Sequence, residues 1–563
     1  MHKTCANLWC NVSFEITDED LEFYDKISPV VNGKKFPVPP PTLCFSCRRQ
    51  RKLAFRNERT LYHRTCDLCT KSIVTNHSPE NSYPVYCNPC WWSESWDPLT
   101  FGRSYDFNRS FFEQYAELYE SVPQRAMVND DGVMSENCAY CFDVAHAKNC
   151  YLCIGMWKMQ DCLYCRICDQ TKFCVDCEGV KLGSELVYES VDSQRLYRCQ
   201  YLQNSENCTD CIFGFDLKGC QNCIACANLR QKQYCVWNEQ KTKEQYENAR
   251  ASLNPGSSAS MEKLKGEFQE FIKKFPRKFA NMQNCEDCTG DHLFHCRDVK
   301  DAFVCTNMQH CRTIERSDGP VWGRDLLQTG MSELCYECIT VDDGYMNAFS
   351  MFCNQCRSVL YSDNCIASDA LLGSISLRRK KYCIFNREYS KEEYEELASK
   401  ILEHMQRRGE FGEFFPIQLS PFGYNETNAQ EFFPLTEDVV RSRNWKWRGE
   451  LPYTTGKETI QPDALPDDIR DVPDTIVNEI LRCSSCSRNY RIIAQETDFY
   501  RNLWIPLPRK CPDCRNIERL ARRNPQQLWE RTCGKCGTHF ETTYAPLRPD
   551  IVYCEECYLG AVY

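Results

Sequence analysis

The chain has 563 residues, a net charge of -10 and 43 cysteines. That length leaves room for three or four domains, and the acidic balance excludes a global attraction to nucleic acid, so any such contact has to be local. A cysteine density this high fits a disulfide scaffold or a metal protein. The start, MHKTCANLWC, has no apolar signal core or small-residue cleavage site, and no run of about 18 apolar residues occurs. A cytoplasmic protein with no membrane segment is the expectation, and in a reducing compartment cysteines stay as thiols or hold metal.

Residues 1–92 read as a double metal module with pairs Cys5/Cys10, Cys44/Cys47, Cys66/Cys69 and Cys87/Cys90. Cys66, Cys69, Cys87 and Cys90 have the C-x2-C, C-x2-C spacing of a four-thiolate zinc site, in which two short turns deliver four sulfurs at about 2.3 Å. The preceding pairs make a second site, Cys5, Cys10, Cys44 and Cys47; sequential pairing is the simpler arrangement, and spacing leaves a cross-brace open. A redox C-x-x-C is the alternative, but no thioredoxin-like βαβ pattern surrounds these pairs. Between the second and third pairs, RRQRKLAFRNERTLYHR predicts a helix on which Arg48, Lys52 and Arg56 share one face. Such a basic stripe can read phosphate; the plainer alternative is a solvated face with Leu53 and Leu61 packing inward.

Residues 93–137 open with WWSESWDP and lead to a predicted helix, FFEQYAELYES, stopped by Pro123. Its apolar face, Phe111, Phe112, Tyr115 and Leu118, reads as a cap on the repeat region. From 138 to 240 a C-x2-C recurs every twelve residues: Cys138/Cys141, Cys150/Cys153, Cys162/Cys165 and Cys174/Cys177, then Cys199, Cys211, Cys223 and Cys235 in a new phase. Along a flat strand residues i and i+3 face opposite ways, so two inward thiols need a corner between them, and a twelve-residue repeat of that corner implies stacked coils about 4.8 Å apart. Asn137, Asn149, Asp161, Asn207, Asn222, Asn284 and Asn364 each precede a cysteine; Asn and Asp tolerate turns, and stacked amides can bond along the array. Three uses of the ladder cysteines stay open: small core filling, metal ligands from adjacent coils, and disulfides.

Residues 241–280 predict a helical insert opened by the capping box Thr242-x-x-Gln245 and running to about Lys278 across NPGSS. A second repeat segment, 281–389, starts at Cys285/Cys288 and places Cys305, Cys311, Cys335, Cys353, Cys365 and Cys383 on one six-residue grid. Its ending, LRRKKYCIFN, matches LRQKQYCVWN of the first segment, and Ser390-x-x-Glu393 opens a helix over 390–408. Residues 409–480 are Pro-rich and read as an extended strap or linker. Within it RSRNWKWRGE interleaves Arg441, Arg443, Lys446 and Arg448 with Trp445 and Trp447, a pattern that can stack on unpaired bases or pin the loop to its own domain.

Residues 481–563 repeat the first module. Laying Cys44 on Cys511 also lays Cys66 on Cys533 and Cys87 on Cys554, with Arg48, Leu53, Ala54, Arg56, Asn57, Leu61, Arg64 and Thr65 on identical residues. Two further sites result, Cys483, Cys486, Cys511 and Cys514, and Cys533, Cys536, Cys554 and Cys557; the stripe recurs as Arg515, Arg519 and Arg523. About 45 residues at each end, with Phe23-Tyr24 before CFSCR and Phe499-Tyr500 before CPDCR, resemble the small probable-zinc-ribbon family, marked by C-x-x-C, an aromatic pair and C-x-x-C-R. The Cys5-x4-Cys10 knuckle departs from that pattern, a length zinc still tolerates. The whole chain resembles Cys-rich zinc-ribbon proteins of small uncultivated bacteria, a group that brings no activity with it.

The expected fold is multidomain and mainly β, with duplicated zinc-ribbon modules flanking a Cys-laddered, β-solenoid-like repeat with short capping helices. The expected cofactor is Zn2+, about four structural ions. No H-E-x-x-H, Walker, G-x-S-x-G or G-x-G-x-x-G pattern occurs, so the first expectation is a non-enzymatic scaffold whose basic modules contact nucleic acid or a nucleoprotein. The alternatives are a protein-interaction or structural rod, and a thiol-redox or metal-handling protein.

Overall fold

In the repeat the backbone bends at every third residue. The computed structural model describes residues 1–127, 135–308, 327–329, 336–337, 339–342, 351 and 353–563; of the expected grid, Cys311 and Cys335 lie outside them. Asn137, Tyr140, Asp143, His146, Asn149 and Leu152 all have φ between 50° and 56°. Each such left-handed residue turns the next one inward, so Cys141, Val144, Ala147, Cys150 and Cys153 line one interior. Four bends in twelve residues give four inward columns. The six asparagines and Asp161 that precede cysteines all occupy this bend, where their short polar side chains lower the steric cost. Asn137 donates to Asn149 at 3.1 Å and Asn149 to Asp161 at 2.9 Å, so the side-chain ladder runs along the array.

Neighbouring segments pair in parallel, Phe142 with Ile154, Leu196 with Cys208, Cys223 with Cys235 and Leu371 with Cys383. At one step the register is longer, Cys174 against Val187. The extra residue lies at Leu182-Gly183, two consecutive left-handed positions. That insertion is the phase change in the sequence: the Cys174 column continues through Val187 to Cys199.

Backbone hydrogen bonds explain the choice of cysteine. In each triplet the residue before the bend donates forward (Lys148 to the Met159 carbonyl, 2.9 Å) and the bend residue donates backward (Asn149 to the Glu136 carbonyl, 2.9 Å). The third N–H points into the interior, and where the residue twelve places earlier offers a hydroxyl it donates there: Leu202 to Ser190 Oγ at 3.2 Å, Ser205 to Ser193 Oγ at 3.1 Å, Leu217 to Ser205 Oγ at 3.2 Å. Asn238 likewise donates to Cys226 Sγ at 3.4 Å. The same side chains donate onward, Ser205 to the Gln203 carbonyl and Cys150 to the Lys148 carbonyl. An inward Cys or Ser therefore fills a thin core and accepts an N–H that would otherwise be buried without a partner, a loss of about 1 to 3 kcal/mol. Ser205→Cys is expected to be nearly neutral, whereas Ser205→Ala should speed exchange of the Leu217 amide by tenfold or more. Equal exchange in the two variants would make the column mere filling.

The two ends fold alike. In each, the first knuckle closes a short hairpin (His2–Thr4 with Ser13–Glu15; Leu481–Arg482 with Asn489–Tyr490) and the third pair sits on a longer one (Tyr62–Thr65 with Ser72–Thr75; Trp529–Thr532 with His539–Thr542). Each module touches both repeat segments, in crossed fashion. Val85–Tyr86 pairs with Gln124–Arg125 just before the first segment, and Val552–Tyr553 with Arg277–Lys278 just before the second. Thr75 donates to the Ala126 carbonyl and Thr542 to the Phe279 carbonyl, both at 2.6 Å. The aromatic pair of each module docks on the opposite segment: Tyr24 meets Tyr336 at 5.1 Å and Tyr500 meets Tyr188 at 5.7 Å. The end of each segment meets the start of the other, Ser376 donating to the Pro123 carbonyl and Asn228 to the Pro276 carbonyl. The second half thus repeats the first with its module moved from front to back.

The helix Phe111–Ser121 lies against the second segment, with Phe111 on Tyr361 and Phe385 at 5.3 and 5.1 Å. One expectation changes. The insert is helical only over Lys243–Leu253 and Ser258–Ile272; Arg277–Lys278 is a strand, placed after Pro276, where a helix cannot continue. The capping boxes at Thr242 and Ser390 form, and Gly409, at φ 69°, ends the helix Lys391–Arg408.

Candidate metal centres

Each module brings its eight thiols into two groups of four. Cys5, Cys10, Cys44 and Cys47; Cys66, Cys69, Cys87 and Cys90; Cys483, Cys486, Cys511 and Cys514; and Cys533, Cys536, Cys554 and Cys557 each have all four sulfurs within 4.8 Å of one another. The pairing is sequential, which removes the cross-brace alternative. Sγ···Sγ separations are 3.6 Å for Cys10 and Cys44 and 3.7 Å for Cys69 and Cys87, Cys486 and Cys511, and Cys536 and Cys554. A disulfide would need about 2.05 Å; a tetrahedral ion with metal–sulfur bonds of about 2.3 Å sets an edge of about 3.8 Å. The donor set and its spacing fit a four-coordinate thiophilic ion.

Local structure prepares the thiolates. The third cysteine of every group, Cys44, Cys87, Cys511 and Cys554, is the N-cap of a helix, so the fourth lies in its first turn, where burial and the neighbouring sulfurs push the Cys90, Cys514 and Cys557 thiols up. The N–H of that third cysteine points at the first: Cys44 to Cys5, Cys87 to Cys66, Cys511 to Cys483 and Cys554 to Cys533, at 3.2 to 3.4 Å. Burial works against the Cys66 thiolate, yet the N–H groups of Cys69, Cys87 and Leu68 outweigh it and bring its pKa down to about 7. The same balance brings Cys483 to about 7 and Cys533 to about 6.

The ladder cysteines differ. Among the described residues no further group of three or more ligands comes together in this way, and the ladder cysteines described there form no disulfide. Their sulfurs face backbone carbonyls, as Cys153 does toward Tyr151 and Cys162.

The basic stripe faces inward, contrary to a phosphate-reading role. Arg48, Lys52, Arg56, Arg515 and Arg519 are buried. Arg48 donates to the Leu43 carbonyl, and Arg56 pairs with Glu58 at 2.6 Å. Arg515 and Arg519 reach Asp176 at 2.9 and 3.5 Å, and Arg523 reaches Glu178 and Asp192 at 2.7 and 3.0 Å. Arg56 and Arg523 also lie beyond their helices, which end at Leu53 and Arg522. The C-terminal cations thus read a row of carboxylates, Asp176, Glu178 and Asp192, on the first repeat segment. A charge cluster absent from the sequence expectations joins the modules to each other: Arg59 contacts Asp513 at 3.1 Å and Glu431 at 3.6 Å, and Glu431 also takes Arg166 at 3.0 Å. In the strap, Arg441 pairs with Glu437, Lys446 donates to the Ser420 carbonyl, and Arg448 pairs with Glu80 and Glu426, so this loop is pinned to its own surroundings.

No helix among the described residues is long and apolar enough to cross a membrane. Compared with protein-family models, with curated proteins and with solved structures, the chain finds no match in any of the three.

Proposed function

We propose that the protein is a non-enzymatic scaffold for protein partners, in which zinc-ribbon modules at both ends clamp a β-solenoid made of two laddered segments. The observation that carries this reading is the set of four tetrathiolate groups at tetrahedral spacing, each inside a small module that grips the repeat. Zinc is the natural occupant, since it accepts four thiolates without a directional preference of its own and closes the site to substrate. Inward ladder thiols engaged by backbone groups favour packing over redox chemistry. A nucleic-acid role loses its main support with the stripe turned inward against carboxylates.

Elemental analysis of the purified native protein tests this, with four zinc ions per chain expected and a colourless solution. A visible iron–sulfur spectrum, or no bound metal, would overturn the zinc reading. A count well above four would make ligands of the ladder cysteines. Absorbance at 260 nm showing bound nucleic acid after a high-salt wash would restore the nucleoprotein alternative.

A further inference from the structure

The duplicated modules differ at one conspicuous place. Cys5-x4-Cys10 holds two residues more than Cys483-x2-Cys486, and on that longer knuckle Leu8 and Trp9 stand 88% and 43% exposed. Trp9 meets Trp445 of the strap edge to face at 5.4 Å, and Trp445 stacks on Tyr424. Arg443 lies over both indoles, 4.1 Å from Trp9 and 5.1 Å from Trp445. The other cations of RSRNWKWRGE, Arg441, Lys446 and Arg448, are engaged by oxygen atoms. Among the described residues the Arg443 guanidinium has no ion pair or hydrogen bond, and burial lowers its pKa. Stacking covers the faces of a guanidinium and leaves its in-plane N–H fork for an anion.

Trp9 and Trp445 also line an open groove of about 740 Å³ with Pro39, Pro40, Leu43 and Phe414, a size common for ligand sites. Its charged lining residues are Arg51, Glu410 and Glu413; Glu413 is held by Arg51 and Thr42, Glu410 accepts from Ser110 and the Phe111 N–H, and Arg443 sits at the rim against Trp9. With both wall carboxylates and Arg51 already engaged, Arg443 at the rim offers a single cation, too few for a run of phosphates and suited to a peptide with one carboxylate among apolar side chains. We propose that this groove docks such a peptide segment of a partner protein, its carboxylate taken by Arg443 and its apolar side chains by the walls. The site extends the scaffold reading by naming the partner's chemistry, and it does not depend on which metal fills the tetrads.

The experiment uses the full chain and an array of random octapeptides made in pairs, each Glu member matched by its Gln twin. Binders are expected to carry a Glu flanked by apolar residues and to lose at least tenfold in affinity on Glu→Gln. Arg443→Gln and Trp9→Ala should each cost the same tenfold with metal content unchanged, while Arg441→Gln should bind as wild type. Several results would overturn the proposal: no difference between twins, undiminished binding by Arg443→Gln, competition by a dT10 oligonucleotide at lower concentration than by the best peptide, or a peptide-free dimer abolished by Trp9→Ala. Loss of one metal ion in Arg443→Gln would also overturn it, making Arg443 a counter-charge to the nearby Cys47 thiolate. Loss of metal from wild type would refute the scaffold reading separately.

Discussion

Removal of the proposed zinc with a chelator is expected to unfold both terminal modules and then to loosen the repeat between them. Close to the metal sites little else holds the chain: the buried apolar cluster around the first site consists of Cys5, Cys44 and Cys47 themselves, and the hairpin strands are two to four residues long, while Phe23, Tyr24 and Phe36, like Phe499, Tyr500 and Leu503, join larger cores that the knuckles hold in place. Binding of a structural zinc is worth about 10 to 16 kcal/mol, comparable to the whole stability of an ordinary domain. Because each module pairs with the start of one segment and packs on the side of the other, its loss uncovers Gln124–Arg125, Arg277–Lys278 and the aromatic rows at Tyr188 and Tyr336. The Cys533 group should empty first, since Cys536 is exposed and Cys554 and Cys557 are half-buried. Cys66→Ser should retain three ions and cut protection of residues 62–92 to that of an unfolded chain, whereas Cys162→Ala should retain four. Metal release followed by colorimetry, with limited proteolysis in parallel, checks this. Full release with an unchanged cleavage pattern would mean that the modules fold without metal.

Much of this architecture is legible in the chain because its signals are local. A four-thiolate site needs two short turns at a permitted spacing, and all four groups form from the cysteines that spacing selects. The twelve-residue recurrence of C-x2-C marks the bends, and Asn or Asp before cysteine marks the left-handed position. The basic stripe was not legible in the same way. Spacing places Arg515 and Arg519 on one helix face whether that face meets water, phosphate or protein, and the deciding carboxylate, Asp176, lies more than three hundred residues earlier. The crossed contacts were hidden for a similar reason: Arg277–Lys278 is a two-residue strand with no pattern of its own, and the aromatic face of Phe111–Ser121 does not say which end of which segment it covers. Trp9 did leave a signal, the lengthened knuckle, whose meaning appears only when the strap lies beside it.

Asp176→Ala is expected to detach the C-terminal module from the first segment without emptying its metal sites. Asp176 is fully buried between Arg515 at 2.9 Å and Arg519 at 3.5 Å, and Glu496 shares Arg515 at 3.4 Å while accepting from Tyr164 and Tyr500 at 2.9 and 2.7 Å. Burial raises the Asp176 pKa, and the two guanidinium groups oppose that rise. Two cations and two anions therefore balance in a space closed to water. Removing one anion leaves a guanidinium buried without its counter-charge, a loss of about 3 to 5 kcal/mol, whereas deleting the exposed pair Arg109 and Glu117 should leave stability unchanged. Adding Arg519→Met to Asp176→Ala removes the surplus charge and should recover most of the loss, because an apolar side chain of similar length fills the space left by the cation. The readout is hydrogen exchange across Ala494–Leu503 and Pro512–Arg522, the helices that dock on the segment, measured with metal content in the same sample. Faster exchange in Asp176→Ala with four ions retained, reversed in the double variant, identifies the buried charges as the element that joins module to repeat. Unchanged exchange in Asp176→Ala would assign that joining to the aromatic contacts at Tyr188 and Tyr500 and to the pairs of Arg522 and Arg523 with Glu189, Glu178 and Asp192.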